Sequence, residues 1–180
     1  PTDASLQLWS AVRVTDAGLR ARIAELIRQQ HVLEAPEFFI FIADLYRVSE
    51  LLKFRGYEIG DVWDILLVFA AIDAALAAEN MAIAAQALGY ATCFIGGIQD
   101  AVEILVDALK LPSRTYPLFG LTIGIPAETP PERPRLPIDL LFHENSYRGY
   151  TSEDLERAFK SMEFPAWNDW LRVLTRYLAV

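Results

Sequence analysis

Cysteine and histidine are scarce in this chain: its 180 residues hold one cysteine, Cys93, and two histidines, His31 and His143. A single cysteine excludes an internal disulfide framework, and so small a set of soft ligands leaves almost nothing for a zinc site, so no metal is expected. A chain that needs no disulfide suits a reducing compartment, and a cytoplasmic location is expected. Positive charge is short as well. Sixteen Lys and Arg stand against 24 Asp and Glu, a formal net charge of −8. That balance argues against non-specific attraction to nucleic acid or to an anionic membrane, both of which require a positive surface. The opening Pro1-Thr2 carries no initiator Met, basic n-region or apolar h-region, so it is no signal peptide and reads as a processed or truncated start. Residues 80–99 lack formal charge over nearly the length that a bilayer asks for. Asn80, Gln86 and Gln99 are polar, however, and Gly89 divides the stretch into a helix end and a strand start, so no membrane span is expected.

What is present is globular: 53% hydrophobic and 22% charged residues, over a length suited to one domain, 1–180. Residues 6–14 read as a strand closed by Thr15-Asp16, and Asp16 as the cap of a helix with Leu19, Ile23, Leu26 and Ile27 on its apolar side. Phe38 to Ala43 is a continuous apolar run, as in a strand buried on both faces. A short helix is expected over Ser49 to Phe54. Residues 61–88 form the dominant element, one long helix with Asp61 as its N-cap and Gly89 just past its end. Ten alanines lie between Ala70 and Ala87, and apolar residues occur nearly all round, so the helix should be buried on most sides. One subunit of this size has little with which to cover it, which points to a second subunit.

A strand over Tyr90 to Ile95 ends in Gly96-Gly97, a helix follows over Asp100 to Lys110, and Tyr116 to Ile125 is another buried strand. Seven of the ten prolines fall between Pro112 and Pro137, so 126–137 should be an extended arm over the surface. The tail, 151–180, reads as two helices separated by Pro165, the second with Trp167, Trp170, Leu171, Leu174 and Leu178 on its apolar face. Strands alternating with helices give an α+β or α/β class, a mixed sheet wrapped by helices.

No nucleophile–base pair stands out. Cys93, between Thr92 and Phe94, reads as a small buried hydrophobe, and there is neither G-x-G-x-x-G nor a phosphate-binding G-x-x-x-x-G-K-[ST]. A cofactor is therefore the expected carrier of any chemistry. The Gly96-Gly97 turn admits close approach of a ligand to the backbone. Arg133 and Arg135 stand on a stiff arm suited to a phosphate. Residues 1–7 are small and polar, able to lie against a ring.

These segments carry a resemblance. PTDASLQLW at 1–9, RQQHV at 28–32, AAENMAIAAQALGYATCFIGG at 77–97, YPLFGLTIGIPAE at 116–128, RPRLP at 133–137 and HENSY at 143–147 occur together and in order. The sequence in this respect resembles the FMN-dependent nitroreductase family, and within it the NADPH-preferring flavin reductase/nitroreductase branch. The resemblance implies an α+β homodimer with the long helix at the subunit interface and FMN bound there. It implies ping-pong hydride transfer from NADPH or NADH to a small electron-poor organic acceptor: a nitroaromatic, a quinone or a free flavin. By the same resemblance Thr2, Ala4 and Leu6, alternate residues of an extended segment, lie beside the flavin, and Gln29 hydrogen-bonds it. Phe94, Ile95, Gly96 and Gly97 match the turn whose backbone N–H reaches flavin N5, while Arg133 and Arg135 match the basic pair at the phosphate and pyrimidine side. No side chain is implied to act as a catalytic acid or base.

The departures from the branch are equally specific. Its N-terminal helix with a His/Arg-Arg-Ser-x-Arg motif has no counterpart, because the chain starts downstream of it. Ser5 stands where an Asn is common and Gln99 where an Arg often follows the turn. Glu163-Phe164-Pro165-Ala166 lacks the arginines that meet the 2′-phosphate of NADPH, so both nicotinamides remain open. A flavin-binding or flavin-storing dimer without nicotinamide turnover is the competing expectation.

Overall fold

The computed structural model describes residues 2–60, 62–163, 170, 174, 175 and 178, in two compact units, Pro1–Ala127 and Glu128–Val180. In the first unit, β1 (Trp9–Arg13), α1 (Ala17–Leu26), α2 (His31–Glu34) and β2 (Glu37–Asp44) are followed by α3 (Tyr46–Phe54) and α4 (Trp63–Ala87). Then come β3 (Ala91–Ile95), a 3-10 turn at Gly96–Ala101, α5 (Val102–Ala108) and β4 (Thr115–Gly124). The strands form one sheet in the order β1-β2-β4-β3. Each pairing is antiparallel, so the α+β class stands while the sheet, expected to be mixed, is antiparallel over the described residues.

The helix boundaries follow local chemistry. Asp16 caps α1, its Oδ1 accepting from the Leu19 N–H at 2.7 Å. On that helix Ile23, Ala24 and Ile27 are buried, whereas Leu26, expected on the apolar side, is exposed. At the other end of α4, Gly89 adopts φ +85°, the Tyr90 N–H reaches the Ala85 carbonyl at 3.0 Å and the Gly89 N–H reaches Gln86 at 2.9 Å. This paired closure needs a left-handed residue, and glycine takes that conformation without a Cβ penalty. The uncharged stretch 80–99 is thus helix end, turn and strand. The expected cap Asp61 lies outside the described residues. Helix α4 itself is long and apolar enough to cross a membrane by length and composition. One of its faces packs on the sheet.

That face is a ridge of small residues. Ala70, Ala74, Ala78, Ala82 and Ala85 are buried, nearly all at intervals of four, and Asp73 is buried among them. Small side chains let the helix settle close on a row of aromatic rings that crosses the sheet. Trp9 stacks on Phe41 (5.9 Å between ring centroids), Phe41 on Phe119 (5.3 Å), and Phe94 meets Phe119 edge-on at 5.9 Å. Each such pair adds about 0.5–1.5 kcal/mol beyond area burial. The opposite side of α4 presents Ile65, Val68, Ile72, Leu76 and Ile83 to the exterior of this chain. Burial on most sides, expected from composition, is therefore not achieved by one chain. The other face of the sheet is covered by α1, the 3-10 turn and α5, where Ile23, Phe38, Ile40, Ile95, Ile98 and Leu105 form the core.

In the second unit, a 3-10 turn at Ile138–Leu140 precedes α6 (Ser152–Ser161). Thr151 and Asp154 close a capping box at the start of α6, and Asp154 also receives Arg148 (2.6 Å) and Arg157 (3.3 Å). The Arg148 bond, then the Thr151 backbone bond, hold the Asp154 carboxyl well below the usual carboxylate range. Of the second tail helix, Trp170, Leu174 and Leu178 are helical, with Trp170 edge-on to Phe159. Pro165, Trp167 and Leu171 lie outside the described residues.

Two consequences are measurable. A Cβ at Gly120 would lie 2.7 Å from the buried ring of Phe38 and 3.1 Å from Ile95. Gly120→Ala is expected to lower stability by about 1–3 kcal/mol, read as a shift in denaturant midpoint. Because the folded pKa of Asp154 is depressed, its contribution is complete above the unfolded value and fades as pH falls below about 4. Asp154→Asn is expected to remove that acid-dependent loss of α6 helicity, followed by far-ultraviolet circular dichroism against pH.

Candidate functional site

The Gly96-Gly97 turn occupies the end of β3, where the sheet gives way to the 3-10 turn. Ile95 points into the core and is fully buried, so only its backbone is on offer to a ligand. Gly96 differs: a Cβ built there would meet nothing within 4 Å, leaving open space beside the backbone. Gly97 is crowded. A Cβ would lie 3.2 Å from the Ile27 Cβ and 3.3 Å from the Gln29 Nε2. The absent side chain at 97 is thus what lets the Gln29 amide lie against the turn. Gln29 follows α1 by a short bend in which Arg28 takes φ +54° and the Gln29 N–H bonds the Ala24 carbonyl at 3.0 Å. Two of the expected contact groups, the glutamine and the double-glycine turn, are therefore brought together from 67 or more positions apart in sequence (96 − 29 = 67).

Phe94 is 46% exposed and leans on Phe119. With Ala75, Leu76 and Glu79 of α4 these two rings line a shallow apolar groove. The groove opens on the side of α4 that this chain leaves bare.

The N-terminal segment departs from expectation. Instead of an extended run, Asp3–Ser5 form a 3-10 turn, with Ala4 at φ 44°, Ser5 at 58° and Gln7 at 53°. Alternation along an extended strand therefore does not apply to Thr2, Ala4 and Leu6. Ala4 and Leu6 are exposed, while the Thr2 hydroxyl is committed to α4, donating to Asp73 Oδ2 at 2.6 Å. The Leu8 N–H donates to the same oxygen at 3.0 Å, and the Gln7 N–H donates to Thr2 Oγ1 at 2.9 Å. Regular strand begins only at Trp9.

In the second unit, Arg135 turns its Nη1 back onto the carbonyls of Pro134 (3.0 Å) and Arg133 (3.3 Å). Residues 126–137 contain no regular element, as their prolines require.

Cys93 corrects the sequence reading. Its thiol is exposed, not buried, with Sγ 3.8 Å from His31 Nε2. β3 is an edge strand of the described sheet, and His31 of α2 lies beside the Cys93 thiol. Gln99, taken as a departure from a binding arginine, has a structural task. β4 bulges at Leu118 opposite the Phe41/Ile42 step, and the Gln99 amide donates to the carbonyls of Pro117 (3.1 Å) and Leu118. Tyr116 Oη donates to Gln99 Oε1 at 2.8 Å, which fixes that amide. Asp73 and Arg47 were missed by sequence reading. The one signal for Asp73 was an acidic residue inside an alanine-rich helix. Arg47, on α3, donates to the carbonyls of Gln7 and Trp9, the latter at 3.0 Å.

Comparisons with known proteins agree with this architecture. The chain is 37% identical over 155 residues to "FMN reductase (NADPH)" of Bacillus subtilis and 38% identical over 153 residues to an oxygen-insensitive NADPH nitroreductase of Salmonella typhimurium. Each alignment takes in 84% of this chain, and the chain spans only 62% of each relative's length. Among solved structures, nitroreductase A of Vibrio parahaemolyticus superposes with a TM-score of 0.88 at 30% identity, over 100% of this chain and 76% of that one. The NADPH:FMN oxidoreductase of Vibrio harveyi, solved in complex with NAD+, also reaches 0.88, at 29% identity and the same coverage. The nitroreductase family model matches residues 1–125, the whole sheet with α1 to α5, and the chain belongs to that family.

Proposed function

We propose that this chain is the core of an FMN-dependent NAD(P)H oxidoreductase that works as a homodimer in the cytoplasm. Its acceptors are small electron-poor organics, nitroaromatics, quinones or free flavins, reduced by ping-pong hydride transfer. The observation that carries the reading is the Gln29–Gly97 contact beside the open backbone at Gly96. An amide donor and acceptor held against a turn without side chains is a surface that a flat heteroaromatic ring can approach edge-on. The names of the relatives, FMN reductase and NADPH nitroreductase, point the same way.

The open backbone at Gly96, with the Gln29 amide close by, suits the edge of FMN. Gln29 would hydrogen-bond the ring, the Phe94–Gly97 turn would face it with backbone, and Thr2, Ala4 and Leu6 would border it from the N-terminal turn. Arg133 and Arg135 remain, by the resemblance alone, the candidates for the phosphate and the pyrimidine edge. Bound FMN would supply the hydride chemistry, taking electrons from a reduced nicotinamide and giving them to the acceptor. The chain's own part is orientation: the rigid turn fixes the ring, which is worth far more than a loosely held cofactor at the same concentration. A cationic guanidinium near the pyrimidine would favour the anionic reduced form.

The bare stripe of Ile65, Val68, Ile72, Leu76 and Ile83 supports the dimer, since a second α4 would bury it.

The test is an anaerobic visible spectrum of the protein with FMN, before and after NADPH and then NADH. Bleaching by either donor is the expected result. Bands that persist under both would sink the reductase reading and leave the flavin-storing dimer. In the same assay Gly97→Ala, which pushes on Gln29, is expected to weaken FMN binding by about tenfold, equal to the loss of one good hydrogen bond.

A further inference from the structure

Asp73 is fully buried inside an alanine ridge, the one acidic residue on the packed face of α4. Burying a carboxylate is costly unless donors meet it, and donors from the N-terminal segment do so. One oxygen, Oδ2, accepts both the Thr2 hydroxyl and the Leu8 N–H. Thr2 Oγ1 in turn accepts the Gln7 N–H. The two ends of the segment 2–8 are thereby pinned to a single atom of α4. Between the pins lie Ala4, Ser5 and Gln7 in left-handed conformation, which none of these side chains favours. Three such residues in a row of four need an external tie, and Asp73 supplies it. Arg47 secures the exit by accepting none and donating to the carbonyls of Gln7 and Trp9.

We propose that Asp73 is a positioning residue: through Thr2 and Leu8 its carboxylate holds residues 2–8 in the strained turn that borders the cofactor. The inference rests on the FMN reading for its ligand but not for its geometry. Asp73 touches no reacting atom. Its effect reaches the flavin through the shape of the turn, so its loss raises the dissociation constant without altering the sheet. A second consequence follows from the shared oxygen. An asparagine at 73 can still present one carbonyl oxygen at the place of Oδ2 and accept both donors, so the clamp follows the acceptor atom.

The experiment uses the whole protein and four variants: Thr2→Val, Thr2→Ser, Asp73→Leu and Asp73→Asn. Amide hydrogen exchange at Gln7 and Leu8 is read without FMN, and the FMN dissociation constant is read by fluorescence titration. Thr2→Val is expected to speed exchange at Gln7, and Asp73→Leu at Leu8. Both should weaken FMN by about tenfold, as for the loss of a buried hydrogen bond. Thr2→Ser should stay within about threefold of wild type on both readouts, and Asp73→Asn should keep Leu8 protected, since each keeps the hydrogen-bonding atom. If Asp73→Leu does not fold, Thr2→Val carries the test alone, because Thr2 lies outside the ridge. Unchanged exchange in Thr2→Val would overturn the clamp. Faster exchange with unchanged FMN affinity would overturn the positioning role. A wild-type protein with protected Gln7 and Leu8 amides that binds no FMN would overturn the flavin reading while leaving the clamp in place.

Discussion

The seating of α4 on the sheet is the contact from which the other features hang. Alanines at 74, 78 and 82 bring the helix down onto Phe41 and Leu121, with Trp9 and Phe119 alongside, and Ala70 packs with Leu8, Ala43 and Leu45. Larger residues on that ridge would lift the helix and open voids over the aromatic row, because interiors are close-packed and tolerate little change in volume. The same seating carries Asp73 to the N-terminal segment and aims Leu76 and Glu79 at the groove beside Phe94. It also sets the start of β3, since the closure at Gly89 returns the chain directly to the sheet edge.

The double-glycine turn sits at the junction of that helix layer and the layer on the opposite face. Ile95 is anchored in the core with Ile98 and Leu105, so the turn cannot drift. Gly97 receives Ile27 and Gln29 from the α1 side, and Gly96 is left open. The two glycines therefore differ, one allowing protein to approach and the other leaving open space beside the backbone.

Much of the fold was legible because the signals are local. Asp16 caps α1 as its position predicted, Gly89 ends α4, and the apolar run 38–43 is a strand whose central residues are buried. Strand direction was not legible. Antiparallel pairing of β3 with β4 depends on the path of the chain through α5, which no window of sequence records. Cys93 was misjudged because its neighbours are apolar, whereas its exposure is decided by β3 lying at an edge. The N-terminal segment was misjudged for a related reason. Ala4, Ser5 and Gln7 have no intrinsic preference for positive φ, and the ties to that segment come from distant residues, Asp73 at Thr2 and Leu8 and Arg47 at the Gln7 carbonyl. Gln99, which departs from the arginine common after the turn, spends its amide on the β4 bulge, a task that no local pattern records. Gln29 and Gly97, by contrast, were named from resemblance and are found together.

The central claim is that a flavin ring lies against the Gly96-Gly97 turn with Gln29 at its edge. A crystal structure of the protein grown with FMN tests this most directly. The account predicts ring density within hydrogen-bonding distance of the Gln29 amide and of the backbone at Gly96 or Gly97. Density for FMN elsewhere on the chain, or a turn left bare at saturating FMN, would contradict it.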